Sequence, residues 1–168
     1  MSPSGRGGRN APCSRSTTYE WFKAFHVLAA VLWVGGSVML TILGVMTIGL
    51  KDPVRMTQFA KQVSKLGGVY FPPLSLIVVG LGFGLVEKGD WGYDPTWIQI
   101  GIAGWAASFI IGAGYLGPRA SKLAKLMDTQ PPESPEVQIL IRRILTAARI
   151  DGALLLFVVF DMVAKPWS

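Results

Sequence analysis

The stretch WFKAFHVLAAVLWVGGSVMLTILGVMTIG, Trp21 to Gly49, decides the fold. Beyond His26 it holds no ionisable side chain, and nothing charged follows until Lys51. A bilayer's hydrocarbon core takes about 20 apolar residues in helical form. A secretory signal sequence is the natural rival, since arginines precede the run. Its apolar centre spans only roughly 7–15 residues, however, and no convincing small-x-small cleavage site interrupts the stretch. The run reads as a membrane-spanning helix that stays in the protein.

Three further segments repeat the pattern: 69–87 (VYFPPLSLIVVGLGFGLVE), 96–117 (TWIQIGIAGWAASFIIGAGYLG) and 144–164 (ILTAARIDGALLLFVVFDMVA). Pro72-Pro73 opens the second, Pro118 ends the third and Pro166 ends the fourth. Lipid offers no partner for backbone N–H and C=O groups, so spans of this kind are helices. Trp21, Trp91, Trp97 and Trp167 stand at span ends, where interfacial aromatics are favoured. The expected fold is all-α, an integral membrane four-helix bundle.

Composition agrees. Of 168 residues 51% are hydrophobic and 15% charged, against roughly 25% charged in soluble domains. The mean hydropathy is +0.43. A net charge of +6 on so apolar a chain points to anionic lipid head groups rather than nucleic acid. Cys13 is the single cysteine, so an internal disulfide and a Cys/His metal finger are both excluded. Glycines within the spans, such as Gly104-x3-Ser108-x3-Gly112, favour close helix packing. No Lys-Ser/Thr follows them, which excludes a phosphate loop.

Outside the spans, residues 1–19 are Gly/Ser/Arg-rich and read as a disordered tail. Residues 51–66 place Met56, Phe59, Val63 and Leu66 on one face, which predicts a short interfacial helix between spans 1 and 2. A basic helical extension, PRASKLAKLMD, follows span 3 and leads into the turn TQPPESPE. The first and third loops, with Arg149, hold ten Lys/Arg, and the rest of the chain holds six. Positive-inside counting places those loops in the cytoplasm of a plasma-membrane protein, with both termini extracytoplasmic.

Ionisable groups within spans are costly, about 2.5–3.5 kcal/mol for a mid-helix Asp, and mark candidate sites. His26, the only histidine, lies one turn inside span 1, with Trp33 on nearly the same face. Asp161 lies one turn inside the end of span 4, at a depth that matches. Two readings stand for His26. Either Asp161 holds its Nδ1–H and frees Nε2 for a haem iron, a metal or a proton, or His26 bonds to a neighbouring helix. Asp161 and Lys165 are also spaced to pair with each other. Asp151 lies deeper, near Arg149 in sequence but on another face, and points toward groups such as Thr41 or Thr47. It either relays protons or bridges helices. Met39, Met46 and Met162 offer soft-metal ligands, although lone methionines in apolar helices more often pack.

The sequence KAFHVLAAVLWVGG (23–36), with Gly117-Pro118-Arg119 and Met162-Val163-Ala164-Lys165-Pro166, resembles the predicted integral membrane proteins of domain of unknown function 2269. That bacterial family has no assigned activity. The first helix is also similar to those of copper-resistance D proteins and HemJ-type protoporphyrinogen oxidases. By that resemblance His26 matches a haem-associated histidine, and haem b is the implied cofactor. The arginine that the HemJ-type group carries further along this helix is missing, and copper-type ligands are few, so neither activity transfers. The resulting expectation is a non-enzymatic membrane protein, binding haem or metal through His26 or supporting a larger complex. The alternatives are a haem-linked oxidoreductase acting on a lipophilic substrate and a proton-coupled transporter using Asp151 and Asp161. Transport by so small a bundle implies a homo-oligomer.

Overall fold

The computed structural model describes residues 17–166, and every regular element in that range is helical. Helix α1 spans Thr17–Gly49, α2 Pro53–Val69, α3 Phe71–Lys88, α4 Thr96–Phe109, α5 Gly117–Leu126 and α6 Pro135–Ala164. A π-helical segment, Ile110–Leu116, joins α4 to α5 without a break. The tail residues before Thr17, with Cys13, and Trp167 lie outside the described residues. Residues 17–19, assigned above to the tail, form the first turn of α1.

Among the described residues three stretches are long and apolar enough to cross a membrane: Thr17–Gly49, Pro53–Lys88 and Thr96–Leu126. The apolar part of α6 differs from these by holding Arg149, Asp151 and Asp161. Helix α6 also begins nine residues before the span assigned at 144, because Pro135 suits a first helical turn, where its missing N–H costs nothing.

Pro72-Pro73 opens α3 as the sequence suggests, whereas one proline acts differently from its sequence reading. Pro118 does not end the third helix. The chain passes through the π segment, whose wider pattern is seen where Gly117 N–H donates to Gly112 O, and α5 resumes with Pro118 in its first turn. A proline lacks the N–H that the preceding turn expects, and the lengthened hydrogen-bond step absorbs that loss. Helices α2 and α3 are separated only by Tyr70, whose N–H donates to Leu66 O at 2.9 Å. Pro72 and Pro73 supply the interruption there.

The packing is antiparallel and glycine-lined. Helix α1 lies against α3, α4 against α6, and α1 against α6. A Cβ at Gly84 would strike Phe22, and one at Gly82 would crowd His26. Likewise a Cβ at Gly101 would strike Met162, and one at Gly104 would strike Val158. The small residues let backbones approach, as the sequence suggests, but not all of them do so. Gly35, Gly80 and Gly112 face open space.

The core falls into three groups along the molecule. At one end Val86, Trp97 and Ile98 cluster. In the middle Ala29, Trp33, Val78 and Leu155 do so. At the other end Met56 and Ala60 of α2 meet Leu123, Met127, Val137, Leu140 and Ile141. The apolar face of α2 is therefore turned toward α5 and the start of α6. Asp52 caps α2 by accepting from Val54 N–H at 3.0 Å, ahead of Pro53. A hydroxyl contact of 3.0 Å between Ser64 and Ser121, and an ion pair of 2.5 Å between Lys61 and Asp128, hold α2 to this end.

The α4–α6 seam sets a direct test. Gly104→Ala is expected to lower stability in detergent by roughly 1–3 kcal/mol through overpacking against Val158. Gly80→Ala, with free space and a better helix former, is expected to be neutral or to raise it by up to about 1 kcal/mol. Thermal unfolding of the purified variants measures both, and equal effects would show that the close approach at Gly104 carries no weight.

Candidate functional site

In the middle of the molecule α1, α2, α3, α4 and α6, with the π segment and the start of α5, line a half-open cavity of about 160 Å³. Its wall is mostly apolar and includes Trp33, Phe59, Phe71 and Phe109. The polar exceptions are Ser37, Thr41, Ser75, Ser108 and one acid, Asp151. Asp151 is only 5% exposed. Ser108 stands within reach of its carboxyl group, while Oδ1 has no hydrogen-bond partner among the described residues.

The helix register explains why Ser108 is there. Along the α4–α6 seam Gly101 meets Met162 and Gly104 meets Val158; Ser108 lies one turn further along α4, and Asp151 two turns back along α6. Ser108 is itself 3% exposed. Thr41 shares the cavity with Asp151 but donates to Ser37 O at 3.0 Å. Thr47 donates to Leu43 O and does not line the cavity. Arg149 is exposed and lies off the cavity, consistent with the two-residue spacing that turns it to another face.

The floor next to α3 is tied down by hydrogen bonds. Ser75 Oγ donates to Pro72 O at 2.9 Å, and Trp105 Nε1 donates to Ser75 O at 3.1 Å. Trp105 stacks on Phe109 with ring centroids 5.6 Å apart. Trp33, expected on the His26 face of α1, is 7% exposed, packs with Val78 and Leu155, and lines the cavity.

His26 lies nearer the end where α1 starts. Its Nδ1 stands 2.9 Å from Val78 O on α3, a hydrogen bond to a neighbouring helix. Donation by Nδ1–H to that carbonyl leaves Nε2 as the ring's acceptor or ligand atom. The carbonyl thus takes the place that matching depth assigns to Asp161. Matching distance from the span ends says nothing of the direction in which a helical side chain points.

Asp161 is 1% exposed, and neither carboxylate oxygen has a hydrogen-bond partner among the described residues. Lys165 follows in the left-handed conformation, φ 45°, with its N–H on Asp161 O. Its Nζ stands 4.1 Å from the Trp91 ring and 4.3 Å from the Trp97 ring, a cation–π arrangement. Trp91 in turn meets Tyr19 edge-on. These contacts gather the start of α1, the α3–α4 loop and the end of α6 at one end. The Met162…Lys165-Pro166 sequence thereby acquires a mechanical reading. Met162 sits under α4, Lys165 lies over two indoles, and Pro166 stops the helix.

Among the described residues no cluster of three or more His, Cys, Asp or Glu side chains is placed to hold a metal ion. Ser108 and Ser75 do not announce themselves in the sequence as site residues. Ser108 stands in a stripe of small residues, and Ser75 in an unbroken apolar run. The available signal is that a mid-span acid needs a donor from a facing helix.

A family model described as Predicted integral membrane protein (DUF2269) matches residues 20–166, and the chain belongs to that family. No curated protein and no solved structure matches the chain.

Proposed function

We propose that this member of an integral membrane family is a non-enzymatic four-span bundle whose working group is Asp151, and that it moves protons as a proton-coupled carrier. One observation carries the reading: a carboxyl group 5% exposed, with Ser108 within reach and Oδ1 without a hydrogen-bond partner among the described residues, lines a cavity between the helices. Ionisable groups inside membrane bundles face the interior and mark ion or proton pathways. In this reading α6 is the fourth span, carrying its acids inward. Asp161 adds a second acid, ten residues and roughly 15 Å further along α6. The start of α1 and the end of α6 face outward, and the basic end with α2 and α5 faces the cytoplasm and its anionic lipids.

The chemistry of one step follows. Asp151 takes up a proton on its unpartnered Oδ1, while Ser108 stays within reach of the carboxyl group. Releasing the proton restores the carboxylate. Neutral and charged forms thus share one geometry, so the exchange needs no repacking of the α4–α6 seam.

A second reading rests on His26, whose Nδ1 is held by Val78 O and whose Nε2 is left for a ligand. It makes the protein a haem or metal binder. Purified protein then shows a Soret band that His26→Ala abolishes, whereas a colourless preparation from haem-replete cells removes the haem reading.

Proton movement is measured in proteoliposomes with a pH-sensitive dye inside. Asp151→Asn keeps the size of the side chain and an acceptor for Ser108, and is expected to lower flux roughly tenfold or more. Flux equal to that of the unaltered protein would end the carrier reading. A reporter fused within residues 129–134 is expected to read as cytoplasmic, and an external signal there would reverse the proposed orientation.

A further inference from the structure

We infer that the Asp151 cavity is a binding site for a small lipophilic ammonium ion, one apolar ring or short chain bearing a single protonated amine. The inference rests on the reading of Asp151 as the working group and names what else that group takes up.

Size comes first. The cavity holds about 160 Å³, and an apolar cavity of roughly 150 Å³ admits a benzene ring. Its lining excludes most other ligand classes. The single ionisable group is an acid, so an anion meets repulsion and no basic partner. A strongly hydrated inorganic cation needs several oxygen ligands, and beside the one carboxylate the wall offers only hydroxyls, those of Thr41 and Ser75 already bonded to backbone carbonyls.

An ammonium group meets every demand of the wall. It donates a charge-assisted hydrogen bond to Asp151 Oδ1, the atom that has no partner. Trp33, Phe59, Phe71 and Phe109 supply the apolar surface, and their ring faces attract a cation. Ser108 stands within reach of the carboxyl group from α4. A neutral alcohol of equal size fills the same space and can donate to Oδ1, but without the charge assistance of an ammonium.

Benzylamine and benzyl alcohol, nearly equal in shape, are the probes, titrated calorimetrically into the full chain in detergent at neutral pH. Benzylamine is expected to bind saturably and at least tenfold more tightly than the alcohol. Asp151→Asn is expected to remove that preference, leaving the alcohol's affinity unchanged. Gly112 lines the cavity and a Cβ there meets no atom within 4 Å, so Gly112→Leu adds bulk at the wall without a clash and is expected to abolish binding of both. Equal affinities for the two probes in the unaltered chain overturn the inference, since they describe a site for a neutral molecule or an acyl chain. So does amine binding that survives Gly112→Leu. If Asp151→Asn does not fold, the preference in the unaltered chain together with Gly112→Leu decides. Proton flux without amine is scored separately. Flux lost in Asp151→Asn with no benzylamine binding removes the ligand and keeps the proton reading, while selective binding with unchanged flux does the reverse.

Discussion

Inside a bilayer no water answers a polar atom, and each one must find its partner within the protein. The backbone meets this demand by being helical almost everywhere between residues 17 and 166. Where proline removes a donor, the chain adjusts locally, by the π segment ahead of Pro118 and by the Tyr70 junction ahead of Pro72-Pro73. Side chains follow the same rule. Thr41 and Thr47 return their hydroxyls to carbonyls one turn back, Trp105 donates to Ser75 O, and His26 bonds to Val78 O. The exceptions stand out against this background. Oδ1 of Asp151 and both carboxylate oxygens of Asp161 are buried without hydrogen-bond partners among the described residues.

Close helix approach turns that demand into a site. Gly101 and Gly104 let α6 come down on α4, and this fixes which residues face each other one turn further on. Ser108, one turn beyond Gly104, comes near Asp151 within that seam. On the other side of the bundle Gly82 and Gly84 bring α3 onto α1, so His26 reaches a carbonyl on α3. Packing of small residues and placement of polar ones are two results of a single register.

Spans, the basic extension after the third span and the intramembrane acids are legible in the sequence, because each depends on composition along one helix. Hydropathy shows length, and helical periodicity shows which residues share a face. Neither shows the azimuth of one helix against another. His26 and Asp161 therefore match in depth, yet His26 turns to Val78. For the same reason Ser108 reads as one more small residue, although it stands within reach of Asp151. Periodicity likewise shows that Met56, Phe59, Val63 and Leu66 share an apolar face, but not what that face meets. Helix α5 offers a matching face through Ala120 and Leu123, and α2 spends Met56 and Ala60 on that end of the protein. Pro118 misleads in a simpler way, since a proline that stops an α-helix is tolerated when a π turn precedes it.

The seven residues Ile110–Leu116 have a role beyond accommodating a proline. They form part of the cavity wall, through Gly112, Ala113 and Leu116, and they also join α4 to α5. An α-helix advances about 100° per residue, so the extra length in each π step sets the rotation of everything after it. If the segment tightened to ordinary α-helical pitch, Ala120 and Leu123 would rotate away from α2. The wall of the cavity is in this sense a gear. What fills the space beside Asp151 bears on the same turn of helix that aims α5 at the basic end of the molecule.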